Sequence, residues 1–104
     1  MATKGQSKRK LYGPYQGSEE GTPPGTLLAE ELEARGLSQS ELARQMGRPP
    51  RTVNEIIRRK RAVTAATALD LEKVLGIAAD LWMGLEQDYQ LAQERLRRAK
   101  RASA

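Results

Sequence analysis

The chain has 104 residues, room for one small domain, and its three Tyr, one Trp and no Phe point to an aliphatic core. Without Cys or His it has no disulfide framework, no thiolate metal site and no Ser–His or Cys–His nucleophile, so no cofactor or metal is expected. No apolar run approaches the roughly 18 residues of a membrane span, and the start of the chain lacks the apolar core of a signal peptide; with a net charge of +5 the expectation is a soluble, cytoplasmic protein with an anionic partner.

Residues 1–25 hold five glycines, three prolines and the triplet Lys8-Arg9-Lys10. That composition buries too little surface to offset ordering entropy, so a flexible, disordered basic N-terminal arm is expected. Leu11, Tyr12 and Tyr15 make a short apolar cluster inside it. The segment KRKLYGPY reads as an arm along DNA, as an anchor for a partner protein, or as a passive tail.

A folded domain is expected over residues 26–98. From Thr26, Leu27, Leu28, Leu32 and Arg35 follow the 3.6-residue period, Glu30, Glu31 and Glu33 form the wet side, and Gly36 stops the helix. The next stretch, SQSELARQMGRPPRTVNEIIRRKR from Ser38 to Arg61, reads as two short helices about a tight turn. Ser38 with Glu41 three residues on forms a capping box, Leu42 and Met46 give one apolar face, and Gly47 supplies a left-handed turn. Pro49 and Pro50 suit the first turn of a new helix, in which Val53, Ile56 and Ile57 face inward.

Counting from Gln39, a small alanine is fifth, a glycine ninth and a buried valine fifteenth. A capped helix, a glycine turn and a basic second helix make the sequence form of a helix-turn-helix, and this spacing resembles the Cro/repressor-like family. Residues 48–61 hold six bases against one acid, Glu55, so the excess charge sits on the second helix and the loop after it, as a phosphate-binding surface requires. Arg51, Thr52 and Asn54 are expected at base edges, with Glu55 beside them on the outward face. Arg58, Arg59, Lys60 and Arg61 are expected on phosphates, and Ser38 and Gln39 present a helix N-terminus to the other side of the groove.

Thr64 caps a fourth helix with Ala68, Leu71 and Leu75 inward and, offset, Ala65, Leu69 and Val74; Gly76 ends it. The last helix begins near Ala78 or Ala79 and runs to about Arg98. Leu81 to Leu85 are expected in the core. Trp82, Leu85, Tyr89, Ala92 and Leu96 form a short heptad seam whose later residues, Tyr89, Ala92 and Leu96, are assigned to a dimer or partner contact. Residues 99–104 are expected to fray. Asp70 and Glu72 lie two apart on a helix and read as a solvated face rather than a catalytic pair, so an enzyme is not expected.

From Pro24 to about Leu91 the chain resembles the HigA-type antitoxins, on three features: the PG before the first helix, PPRTVNEI followed by KRAVTAATAL, and LWMGLEQDYQL. The resemblance implies an all-α, five-helix domain with an extended last helix, and a homodimer bound to an inverted-repeat operator of its own operon. It also implies a partner toxin of the HigB type, a ribosome-dependent mRNA endonuclease, which the antitoxin neutralises. Such a protein is cytoplasmic, and nucleoid-associated when bound to double-stranded DNA. The alternative is a stand-alone phage- or plasmid-type repressor without a toxin. Three positions depart from the family: Arg48 replaces an apolar residue after the turn glycine, and Ala78 replaces a Ser or Thr cap. Arg58-Arg59 replaces an Asn-Gly, from which a longer helix with more phosphate contact is expected.

Overall fold

A computed structural model describes residues 21–103, which form five helices and, among those residues, no strand. They are α1 (Pro24–Arg35), α2 (Gln39–Met46), α3 (Pro50–Ile57), α4 (Ala65–Leu75) and α5 (Ala79–Ser103). The expected all-α, five-helix class is what the chain adopts.

Each helix ends for a local reason. Proline at the first position of α1 and of α3 gives up an N–H that has no partner there anyway. Ser38 Oγ accepts the Glu41 N–H at 3.0 Å and opens α2. The Glu41 carboxylate does not return to the Ser38 backbone; it turns to Arg44 and Gln45, so only half of the capping box forms. Gln45 and then Arg44, donating to that carboxylate, hold it below the usual glutamate range. Thr64 and Thr67 make a complete capping box at α4. Gly47 closes α2 at φ 72°, and the Arg48 N–H returns to the Ala43 carbonyl at 2.9 Å, which fixes the sharp turn into α3.

The core joins all five helices: Leu28 and Leu32 of α1, Leu42, Ala43 and Met46 of α2, Val53 and Ile56 of α3, Val63, Ala68, Leu71 and Leu75 around α4, and Trp82 of α5. Ala43 is fully buried, and its small side chain lets α3 cross close to α2. Arg35 reaches across to donate to the Leu75 carbonyl at 2.8 Å, satisfying the open end of α4. Two of the three departures from the family pattern find compensation here. Arg48 pairs with Asp70 at 2.7 Å, which pins the α2–α3 turn to α4. Glu72 Oε2 accepts the Ala79 N–H at 3.0 Å and does for α5 what Ala78 cannot. Both acids of the supposed solvated face are thus engaged. Arg58-Arg59 is taken up below.

Several expectations need correction. Residues 21–25 belong to the domain rather than to a flexible arm: Pro23, Pro24 and Gly25 are buried, and α1 begins at Pro24. A Cβ at Gly25 would lie 2.3 Å from the Ile56 carbonyl oxygen, so the start of α1 rests directly on the end of α3. A Cβ at Gly21 (φ 79°) would lie 3.0 Å from Tyr89 Cα and 3.1 Å from Ala92 Cβ. The rest of the expected arm, residues 1–20 with KRKLYGPY, lies outside the described residues. Residues 99–103 continue α5 instead of fraying, because Glu94 pairs with Arg97 and Arg98 and the following cations complement the helix C-terminus. Leu69 and Leu81 are exposed, since they lie on the faces of α4 and α5 that look away from the core.

Candidate nucleic-acid interface

The end of α3 is where the structure departs furthest from expectation. The helix stops at Ile57, with the Arg59 N–H donating to the Ile56 carbonyl at 3.1 Å and the Lys60 N–H to the Glu55 carbonyl at 2.8 Å. These are the two bonds of a Schellman turn, and Arg59 occupies its left-handed position at φ 64°. The expected extension of α3 therefore does not occur. Residues 58–62 instead form a short loop that carries four consecutive cations off the helix axis.

On α3 itself, Arg51 is exposed, and among the described residues it has no ion pair or side-chain hydrogen bond. Asn54 Nδ2 donates to Gln39 Oε1 at 3.1 Å, which ties α3 to the first residue of α2. The bond uses one of two amide hydrogens, so Asn54 keeps the donor and the acceptor that a bidentate adenine contact needs. Thr52 is 5% exposed. Its side chain is turned into the helix packing, and its assignment to a base edge is corrected. Glu55 Oε1 takes both Nε (2.9 Å) and Nη2 (2.7 Å) of Arg61. That pair is partly exposed and holds by less than about 1 kcal/mol, so a phosphate can compete for the guanidinium. Arg58, Arg59 and Lys60 are exposed and, among the described residues, make no ion pair.

The loop sits against α5. Arg59, Lys60, Arg61 and Ala62 line a cavity of about 200 Å³ together with Pro23, Pro24, Ile56, Glu86 and Tyr89. Glu86 is buried; its Oε1 accepts the Val63 N–H at 2.9 Å and its Oε2 accepts from Gln90 at 2.6 Å. The sequence reading passed over this residue. A signal was present: Trp82, Glu86 and Tyr89 lie on one stripe of α5, and a charge on the core-facing stripe asks for a buried donor.

The seam residues Tyr89, Ala92 and Leu96 are each half-buried. Gly21 lies on the first two, so that part of the seam is partly covered by the chain itself. Among the described residues no cluster of acids could hold a metal ion, and no helix is long and apolar enough to cross a membrane.

The model of a helix-turn-helix family matches residues 28–82. Virulence-associated protein I of Dichelobacter nodosus is 41% identical over 69 residues, 65% of this chain and 64% of that protein, so the match spans just under two thirds of the relative's length. The Pseudomonas aeruginosa antitoxin HigA, solved with the higBA promoter, is 32% identical over 78% of this chain and 89% of that chain, with a TM-score of 0.72. A HigA-family addiction module antidote protein of Coxiella burnetii is likewise 32% identical, over 78% and 88% of the two chains, with a TM-score of 0.69.

Proposed function

Because this chain belongs to the helix-turn-helix family and, within it, to the HigA-type antitoxins, we propose that it represses its own operon as a homodimer and neutralises a HigB-type toxin encoded beside it. The family is a DNA-binding one, and the protein is not an enzyme. The toxin is of the mRNA-endonuclease class, and both activities belong in the cytoplasm, with the repressor on the nucleoid when bound. The observation that carries the DNA half is the pairing of an exposed Arg51 and a half-committed Asn54 on α3 with a loop of four consecutive cations immediately after it.

In this reading α3 enters the major groove, with Arg51 on a guanine and Asn54 on an adenine. Each bidentate contact supplies about 1–3 kcal/mol of discrimination. Gln39, held by Asn54, lies beside the phosphate next to the α2 N-terminus capped by Ser38, where the helix dipole favours an anion. Arg58, Arg59, Lys60 and Arg61 hold the backbone on the other side. Glu55 does not read a base; it keeps Arg61 in place until phosphate takes the guanidinium. A second copy, joined through the exposed part of the Tyr89–Ala92–Leu96 seam, places its α3 about 34 Å away on an inverted repeat.

Selection from a pool of random-sequence duplexes tests this. The full chain should enrich an inverted repeat, and Arg51→Ala should relax one base position in each half-site. An unchanged consensus with Arg51→Ala would refute the register. Co-purification with the product of the neighbouring open reading frame tests the toxin half; a neighbour that is neither retained nor toxic leaves a stand-alone repressor.

A further inference from the structure

We infer that Glu86 is the positioning residue for the phosphate-binding loop, holding residues 58–63 in place from α5. The loop leaves α3 through the left-handed Arg59 and must then run to the cap of α4 at Thr64. Beyond the Schellman turn, the long-range hydrogen bond to its backbone seen among the described residues is Val63 N–H on Glu86 Oε1, bridging 23 residues of sequence, beside the Val63 side chain in the core. Glu86 is only 7% exposed, and the two hydrogen-bond donors to its carboxylate, the Val63 N–H and the Gln90 amide, are neutral. A buried anion with neutral donors is costly unless positive charge lies close. Here Arg59, Lys60 and Arg61 line the same cavity as Glu86. Their positive charge helps to offset the cost of burying the carboxylate, while the hydrogen bond to Val63 holds the loop backbone against α5. Pro23 and Pro24 line the same cavity.

Such a residue touches no DNA. It acts through the number of phosphates that the loop meets at once. Glu86→Met keeps the length of the side chain and removes the acceptor. Glu86→Gln keeps an oxygen for Val63, and Gln90 can turn its own amide to accept from the new one, so the hydrogen bonds survive without the charge.

The inference rests on the loop being a phosphate-binding surface, and Lys60→Ala serves as the control for that. The probe is random-sequence duplex DNA, with affinity measured against salt and corrected for the folded fraction read from thermal melts. Glu86→Met should lose about fivefold in affinity near 0.15 M salt for each phosphate contact forfeited, with a salt slope shallower by about 0.9 per contact. Glu86→Gln should stay within about twofold of the parent, and the Val63 amide should be protected from hydrogen exchange in the unmodified protein. A Glu86→Met slope equal to that of the parent, while Lys60→Ala flattens it, overturns the positioning role alone. A freely exchanging Val63 amide overturns it even if the Met variant fails to fold. An unchanged slope for Lys60→Ala overturns the phosphate surface itself.

Discussion

Replacing Arg59 by glycine should make the protein more stable and a weaker DNA binder at the same time. At φ 64° the arginine holds a conformation that costs an L-residue about 1–2 kcal/mol through its Cβ. Glycine escapes that cost but gives up about 0.5–1 kcal/mol through the freedom of its unfolded chain. The central net gain is about 0.7 kcal/mol, a rise in melting temperature of roughly 3–6 °C for a domain of this size. Both Arg59→Gly and Arg59→Ala remove the guanidinium near Glu86, but only glycine also removes the Cβ, so the difference between the two variants isolates the backbone. On DNA they should behave alike, each about fivefold weaker near 0.15 M salt, with a slope shallower by about 0.9. Thermal melts and a salt titration of duplex binding read the two effects separately. An Arg59→Gly variant that melts at or below Arg59→Ala would refute the strain.

Two further substitutions test how the helices are joined. Gly25→Ala sets propensity against packing: alanine is the better helix former by about 1 kcal/mol, but its Cβ would meet the Ile56 carbonyl at 2.3 Å. Backbone overlap of that kind costs about 1–3 kcal/mol, so urea unfolding should show net destabilisation; an increase in stability would mean that α1 and α3 are not in contact here. Glu72→Ala removes the only side-chain cap seen on the Ala79 N–H and should cost about 1 kcal/mol, as cap losses do. Chemical denaturation checks it, and a change below a few tenths would show that water replaces the carboxylate without loss.

What the sequence made legible followed from local sterics. The spacing of Ala43, Gly47 and Val53 fixes a close helix crossing, a left-handed turn and a buried anchor, and all three sit where that spacing requires. Thr52 was misjudged because the buried arc of α3 is wider than its Val53–Ile56 stripe. α2 packs on one flank of α3 and the start of α1 rests on its end, a contact no periodicity announces. The role of Glu86 depends on a backbone N–H far away in sequence, for which composition carries no trace. At Arg58-Arg59 the departure from Asn-Gly was visible, but its consequence was inverted. The helix ends in a turn whose two hydrogen bonds close the carbonyls of Glu55 and Ile56, with Arg59 in the position that a glycine would fill without strain.

The contact of Gly21 with Tyr89 and Ala92 bears on how the chain comes to be folded. The helix-turn-helix assembles from neighbours: Gln39 and Asn54 are 15 positions apart, and α2 packs directly on α3. Such short loops close quickly and favour rapid folding. Joining position 21 to position 92 closes a loop around every helix but the end of the last, and the entropy of that closure is offset only after the intervening helices have packed. Loop-closure entropy therefore favours early closure of the α2–α3 hairpin and late closure of the glycine joint.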